Sequence, residues 1–295
     1  MRPEFKEAVK IAATGEYKCI PVSLELYADQ YTPLMVLRKL KNVSRHCYML
    51  ESAEDNQKWG RYTFLGYDPR LEITCTNGKL TIKNGTSVNM ETKHPGEYIR
   101  QMLDENKSPK IEGFPTFTGG LVGYFSYDYM KYAEPSLVLD AEDKEGFKDV
   151  DLMLFDKVIA FDHFRQKIIL IVNIRCEDLK TEYHRAELEL STMKQLIQSG
   201  EMAEEIPGRC TSEFRALFDQ KQYCSMVEKA KHYIREGDIF QVVLSNRMEA
   251  DYEGSLLDTY RVLRTVNPSP YMFYFSSDDM EIAGASPETL VKLEN

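Results

Sequence analysis

Two long apolar runs, at 152–162 and 167–174, restrict the fold more than any other feature of the chain. They read L-M-L-F-D-K-V-I-A-F-D and K-I-I-L-I-V-N-I, with only a short polar turn at 162–165 between them. Runs this rich in Ile, Val and Phe fit a pleated, covered surface. Together they read as a hairpin deep in a sheet.

Around that hairpin the chain alternates between strand and helix signals. Residues 17–26, 47–50 and 62–66 read as strands. Residues 71–75 and 79–83 flank Asn77-Gly78, a type I′ hairpin signal, and Asn84-Gly85 is a second turn, so this part is an antiparallel meander. Amphipathic helices are expected at 3–13 (Phe5, Val9 and Ala12 on one side), 32–42 (Leu34, Leu37, Leu40) and 95–106 (Tyr98, Ile99, Met102, Leu103). Thr32 and Pro33 suit the N-cap and first position of the second helix. Residues 181–199 place Tyr183, Ala186, Leu190, Met193 and Ile197 on one stripe, which is a core stripe. The run at 117–128 holds three glycines, lacks a phosphate-loop pattern, and reads as close backbone approach.

Residues 201–212 have no regular pattern and contain Pro207-Gly208, which makes them the domain-boundary candidate. A helix over 219–236 follows, opened by an Asp219/Gln222 capping box and stopped at Gly237. The next residues, 239–245, read as a strand that buries one uncharged amide, Gln241. A buried amide without a partner costs about 1–3 kcal/mol, so protein or ligand must satisfy it. A short helix at 255–265 precedes N-P-S-P at 267–270, a rigid turn without backbone donors at its prolines. Strands are expected at 271–275, 280–283 and 289–293.

Several functions are excluded. A net charge of −10, with no dense Lys/Arg face, argues against non-specific nucleic-acid binding. No apolar run approaches the ~18 residues of a membrane span. The polar start M-R-P-E-F-K-E-A does not resemble a secretory signal. The six cysteines form no C-x-x-C, and Cys47 and Cys75 read as small buried hydrophobes, which suits the cytoplasm. Metalloprotease, nucleophile-elbow and Rossmann motifs are missing. The acidic pairs Glu54-Asp55 and Asp278-Asp279 read as solvated turns. From the residues alone, no complete catalytic set assembles.

Five segments, taken in order, resemble anthranilate synthase component I. They are L-E-S-A at 50–53 with W-G-R-Y-T-F-L-G at 59–66, F-T-G-G-L-V-G-Y-F-S-Y-D at 117–128, G-D-I-F-Q-V-V-L-S at 237–245, N-P-S-P-Y-M at 267–272, and G-A-S-P-E at 284–288. The last is similar to a motif of chorismate-binding enzymes generally. The resemblance runs from about Tyr17 to the final residue. It implies an α+β fold (α/β in the broad sense), with large antiparallel sheets packed face to face and helices outside. It divides the chain into an N-terminal region, 17–175, and the first part of a chorismate-binding region, 213–295.

The resemblance also implies chemistry. Chorismate and ammonia would become anthranilate and pyruvate, with Mg²⁺ assisting and a glutamine amidotransferase, component II, supplying ammonia. L-tryptophan would inhibit by binding Glu51, Ser52, Pro270, Tyr271 and Met272. Gln241 would face the chorismate pocket. Related isochorismate and salicylate synthases carry Lys there, linked to activating water, which a neutral amide cannot do. Family members are longer, so the catalytic groups and Mg²⁺ ligands are expected beyond Asn295. A chain truncated in this way is expected to be inactive alone. The alternatives are aminodeoxychorismate synthase component I, and a non-catalytic module that binds tryptophan or the amidotransferase.

Overall fold

The computed structural model describes residues 1–53, 60–139 and 143–293. Trp59 of the first segment, the Glu54-Asp55 pair and Asn295 lie outside the described residues. In chain order the elements are α1 (Phe5–Ala13), β1 (Cys19–Tyr27), α2 (Pro33–Val43), β2 (Cys47–Glu51), β3 (Tyr62–Tyr67), β4 (Leu71–Thr76), β5 (Lys79–Asn84) and β6 (Thr86–Glu91). Then come α3 (Pro95–Asp104), β7 (Gly120–Phe125), a 3₁₀ turn (Tyr127–Tyr129), α4 (Met130–Ala133), β8 (Val150–Phe155), β9 (Lys157–Asp162), β10 (Lys167–Arg175) and α5 (Leu179–Ser199). The remainder is β11 (Arg209–Cys210), β12 (Arg215–Ala216), α6 (Gln220–Glu236), β13 (Met248–Glu249), β14 (Tyr252–Glu253), α7 (Leu257–Val266), β15 (Tyr271–Ser276) and β16 (Glu281–Ser286).

The chain forms two compact units. One comprises Met1–Glu204 with Tyr260–Asn295, and the other is Glu205–Thr259. The first holds a seven-stranded sheet, β1-β10-β9-β3-β2-β15-β16, and a five-stranded sheet, β6-β5-β4-β8-β7. Neighbouring strands in both are antiparallel. Tyr48 and Phe275 of the larger sheet pack with Met153 and Phe155 of the smaller. The Tyr48 and Phe155 rings meet edge to face at 4.7 Å. Outside, α5 lies on β10 and β1, and α2 on β2 and β3. On the far side Ile99 of α3 joins Leu71, Ile73, Val150 and Leu152. The fold is therefore α+β, with antiparallel sheets face to face between helices, as expected.

The expected hairpin at 152–174 is corrected in one respect. Its first run is two strands: β8 ends at Phe155 in the smaller sheet, and β9 begins at Lys157 in the larger. Asp156 is the crossover, and its carboxyl is held above the ordinary range by burial. The pleat alone cannot reveal a change of sheet, because both pieces are apolar. The glycine run does what close approach requires. Gly123 has φ +156, and a Cβ there would lie 1.9 Å from the Asp151 carbonyl oxygen. Asn77 and Gly78 both take positive φ, as a type I′ turn needs. In α1 the buried residue is Ala8, whereas Phe5 and Val9 remain partly exposed.

In the second unit, α6 opens with the expected capping box. Asp219 Oδ1 accepts from the Gln222 amide at 2.8 Å, and Gln222 Oε1 accepts from the Asp219 amide at 2.9 Å. Gly237 closes the helix with φ +83. The strand expected at 239–245 does not form. Phe240 is fully exposed, Val243 is 82% exposed, and Gln241 is exposed. A strand needs a neighbour to take its amides and carbonyls. The four strands of this unit, each two residues long, pair elsewhere, β11 with β14 and β12 with β13. The strand expected at 289–293 is also absent, and Leu290, Val291 and Leu293 are exposed. By contrast β15 forms as expected, with β2 on one side and β16 on the other.

Candidate functional site

The site is built where β2 ends. Met272 of β15 stands opposite Glu51 in the antiparallel register, and Phe273 opposite Leu50. One step further the Ala53 amide donates to the Ser269 carbonyl at 3.0 Å. The Leu50–Ala53 motif and the N-P-S-P-Y-M motif therefore meet side by side. Ser52 and Pro270 are half-buried, and Met272 is buried. The Tyr271 hydroxyl contacts the Thr289 hydroxyl. Ser269 is buried, and its hydroxyl donates to the Tyr271 carbonyl at 3.2 Å, which stiffens the proline turn.

Glu51 is not an open carboxylate. Its side chain is 8% exposed. Oε1 accepts from the Tyr260 hydroxyl at 2.6 Å and also from Arg264 Nε. Oε2 accepts from Arg264 Nη2 at 2.8 Å. This forked, charge-assisted geometry is the strong form of the interaction. Burial, with the Glu51 charge adding to it, pushes the Tyr260 phenol far above its ordinary value. Nearby, His163 Nε2 and the Thr63 hydroxyl are 2.8 Å apart. Burial lowers the His163 pKa, although the Glu51 and Asp162 charges oppose that.

Tyr260 and Arg264 were not among the residues expected at this site. Their signal in the sequence is the four-residue spacing on the helix just before the proline turn, which puts them on one face. That spacing does not say what the face meets. Gln241 belongs to the other compact unit, exposed and outside any regular strand. A cavity of about 740 Å³ opens beside Lys79, Lys93, Lys131 and Tyr132 and involves none of the residues above. Among the described residues, no group of three or more His, Cys, Asp or Glu side chains is placed to hold a metal ion. No described helix is long and apolar enough to cross a membrane.

The family model for chorismate binding enzymes matches residues 23–295. The chain is 36% identical over 294 residues to anthranilate synthase component 1 of Acinetobacter calcoaceticus, covering 96% of this chain and 59% of that protein. It is 37% identical over 289 residues to its counterpart in Aquifex aeolicus, covering 94% of this chain and 57% of the relative. Among solved structures, it is similar to anthranilate synthase component I from Streptococcus pneumoniae, with TM-score 0.62 and 26% identity over 92% of this chain and 59% of that one. The menaquinone-specific isochorismate synthase of Escherichia coli shares the fold at TM-score 0.50 and 13% identity, over 96% of this chain and 55% of that one. The chain belongs to the chorismate binding enzyme family, the family of anthranilate synthase component I. It spans 57–59% of the length of these curated relatives.

Proposed function

We propose that the chain serves as the large-subunit component of anthranilate synthesis. In that reaction chorismate and ammonia give anthranilate, pyruvate and water, and a glutamine amidotransferase partner supplies the ammonia. Mg²⁺ would assist the reaction. Residues 17–175 would form the N-terminal region and 213–295 the first part of the chorismate-binding region. Gln241 would contribute to the substrate pocket and favour ammonia over activated water.

The part of this reading best supported by geometry is regulatory. Glu51, Ser52, Pro270, Tyr271 and Met272 would receive L-tryptophan. The observation behind it is that the end of β2 and the proline turn meet, with Met272 opposite Glu51 and Ala53 bonded to Ser269. Those segments join only on folding, so a ligand between them can bias their placement. An indole suits the Met272 and Tyr271 walls, and an ammonium suits carbonyl or carboxylate oxygens. Isothermal calorimetry of the chain with L-tryptophan tests this. A saturable heat that Met272→Asp removes is expected, and no heat from the unmutated chain would overturn it. For the reaction, Gln241→Lys in a full-length relative should reduce ammonia use, and unchanged kinetics would remove Gln241 from the pocket.

A further inference from the structure

An ionised carboxylate offers about four lone-pair directions. Among the described residues, three are taken at Glu51: two on Oε1, by Tyr260 and Arg264 Nε, and one on Oε2, by Arg264 Nη2. Both donors sit on α7, one turn apart, and the Asn267 amide donates to the Leu263 carbonyl at 2.9 Å where that helix runs into the proline turn. Five residues after Arg264, Ser269 takes the Ala53 amide. The same two stretches of chain are thus tied twice, once by the ion pair and once by the backbone. Tyr260 is fully buried, and its ring lies 5.9 Å from that of Tyr274. The Tyr274 hydroxyl in turn donates to Glu281 at 2.7 Å and accepts from Lys41. That anchors the ion-paired face of α7 on β15 and β16.

We propose that Arg264, supported by Tyr260, is the positioning residue of the amino-acid site: it clamps the Glu51 carboxylate, holds the end of β2 against the proline turn, and leaves one acceptor direction, on Oε2, for a ligand ammonium. This rests on the tryptophan reading above. It assigns Glu51 a double role, with most of its hydrogen-bonding capacity spent on the protein. A ligand ammonium on that free direction shares Oε2 with Arg264 Nη2 and so acts on α7 and the turn together.

The test uses Arg264→Gln, Arg264→Lys, Glu51→Gln and the double variant Glu51→Gln/Arg264→Gln. Calorimetry with L-tryptophan is paired with hydrogen exchange at the Ala53 amide in the ligand-free chain. Arg264→Gln is expected to weaken tryptophan binding at least tenfold and to speed Ala53 exchange at least tenfold. Arg264→Lys should restore part of both, because one charge returns without the fork. The double variant should match Glu51→Gln alone, since the two residues act as one unit. Wild-type affinity and wild-type Ala53 protection in Arg264→Gln would overturn the proposal. A lower melting temperature with neither quantity changed would overturn it too, by reducing the pair to a structural contact. If the unmutated chain takes no tryptophan, the site reading and the ligand half of the proposal both fail. The Ala53 measurement then decides the clamp by itself.

Discussion

The runs at 157–172 and 239–244 share their residue types and end in opposite environments. In β9 and β10, Val158, Ile159, Ala160 and the five residues from Ile168 to Val172 are each 3% exposed or less. In the second run Phe240 is wholly exposed and Val243 is 82% exposed. The first has β1 and β3 as outer neighbours and α5 over it. The second has no strand beside it among the described residues. The same β-branched residues thus build a core when their backbone is paired and lie in water when it is not. Strand propensity is a property of the neighbourhood as much as of the run.

That contrast can be broken by mutation. The largest effect is expected where a paired strand tolerates no side chain. Gly123→Val would put a Cβ 1.9 Å from the Asp151 carbonyl oxygen and force β7 off β8. Denaturant titration should show a loss above ~4 kcal/mol, or no folded chain. A stable Gly123→Val protein would mean that the pairing is looser than described.

Arg61→Ala should come next. It strips the forked partner from the buried carboxylate of Asp162, at the end of β9, where the two contacts are 2.8 and 3.2 Å. With Arg61 about one-third exposed, a cost of about 3 kcal/mol is expected. Burial raises the Asp162 carboxyl, but Arg61 and the Arg165 amide outweigh it and hold the group below the usual range. The native pair therefore stabilises the fold above the ordinary carboxylate pKa and loses that contribution as pH falls below about 4. Arg61→Ala should flatten this acid limb. An unchanged acid limb would show that Asp162 gains nothing from its partner.

A single methylene in the buried run is the third probe. Ile171→Val should cost about 0.5–1.5 kcal/mol. The smallest effect belongs to the exposed run, where Phe240→Ser should change stability by no more than about 0.5 kcal/mol. Amides at 239–244 should also exchange quickly, while those of β10 exchange only on global unfolding. A Phe240→Ser cost near that of a core deletion would show that the run is covered in solution, and the contrast would collapse.

Features set within about four residues were legible in the chain. Thr32 accepts from the Met35 amide at 3.3 Å, the Asp219/Gln222 box closes on itself, and Asn77-Gly78 turns the hairpin. The buried stripe of α5 is the expected Tyr183, Ala186, Leu190, Met193 and Ile197. Half of the candidate site was legible too, as two motifs that the structure brings together. Tyr260 and Arg264 were not, because nothing local distinguishes a helix face that grips a carboxylate from one that meets water.

The sequence by itself determined where the long helices lie, the buried stripe of α5, where the tight turns fall and which family the motifs resemble. Each of these depends on backbone preferences or on side chains a few positions apart. Only the tertiary structure decided that 152–162 divides between two sheets at Asp156, that 239–244 stays unpaired, and that Glu51 meets Arg264 across 213 positions. Those outcomes depend on which distant segment supplies the missing hydrogen bonds and apolar cover. A periodic pattern states the need for such a partner without naming it.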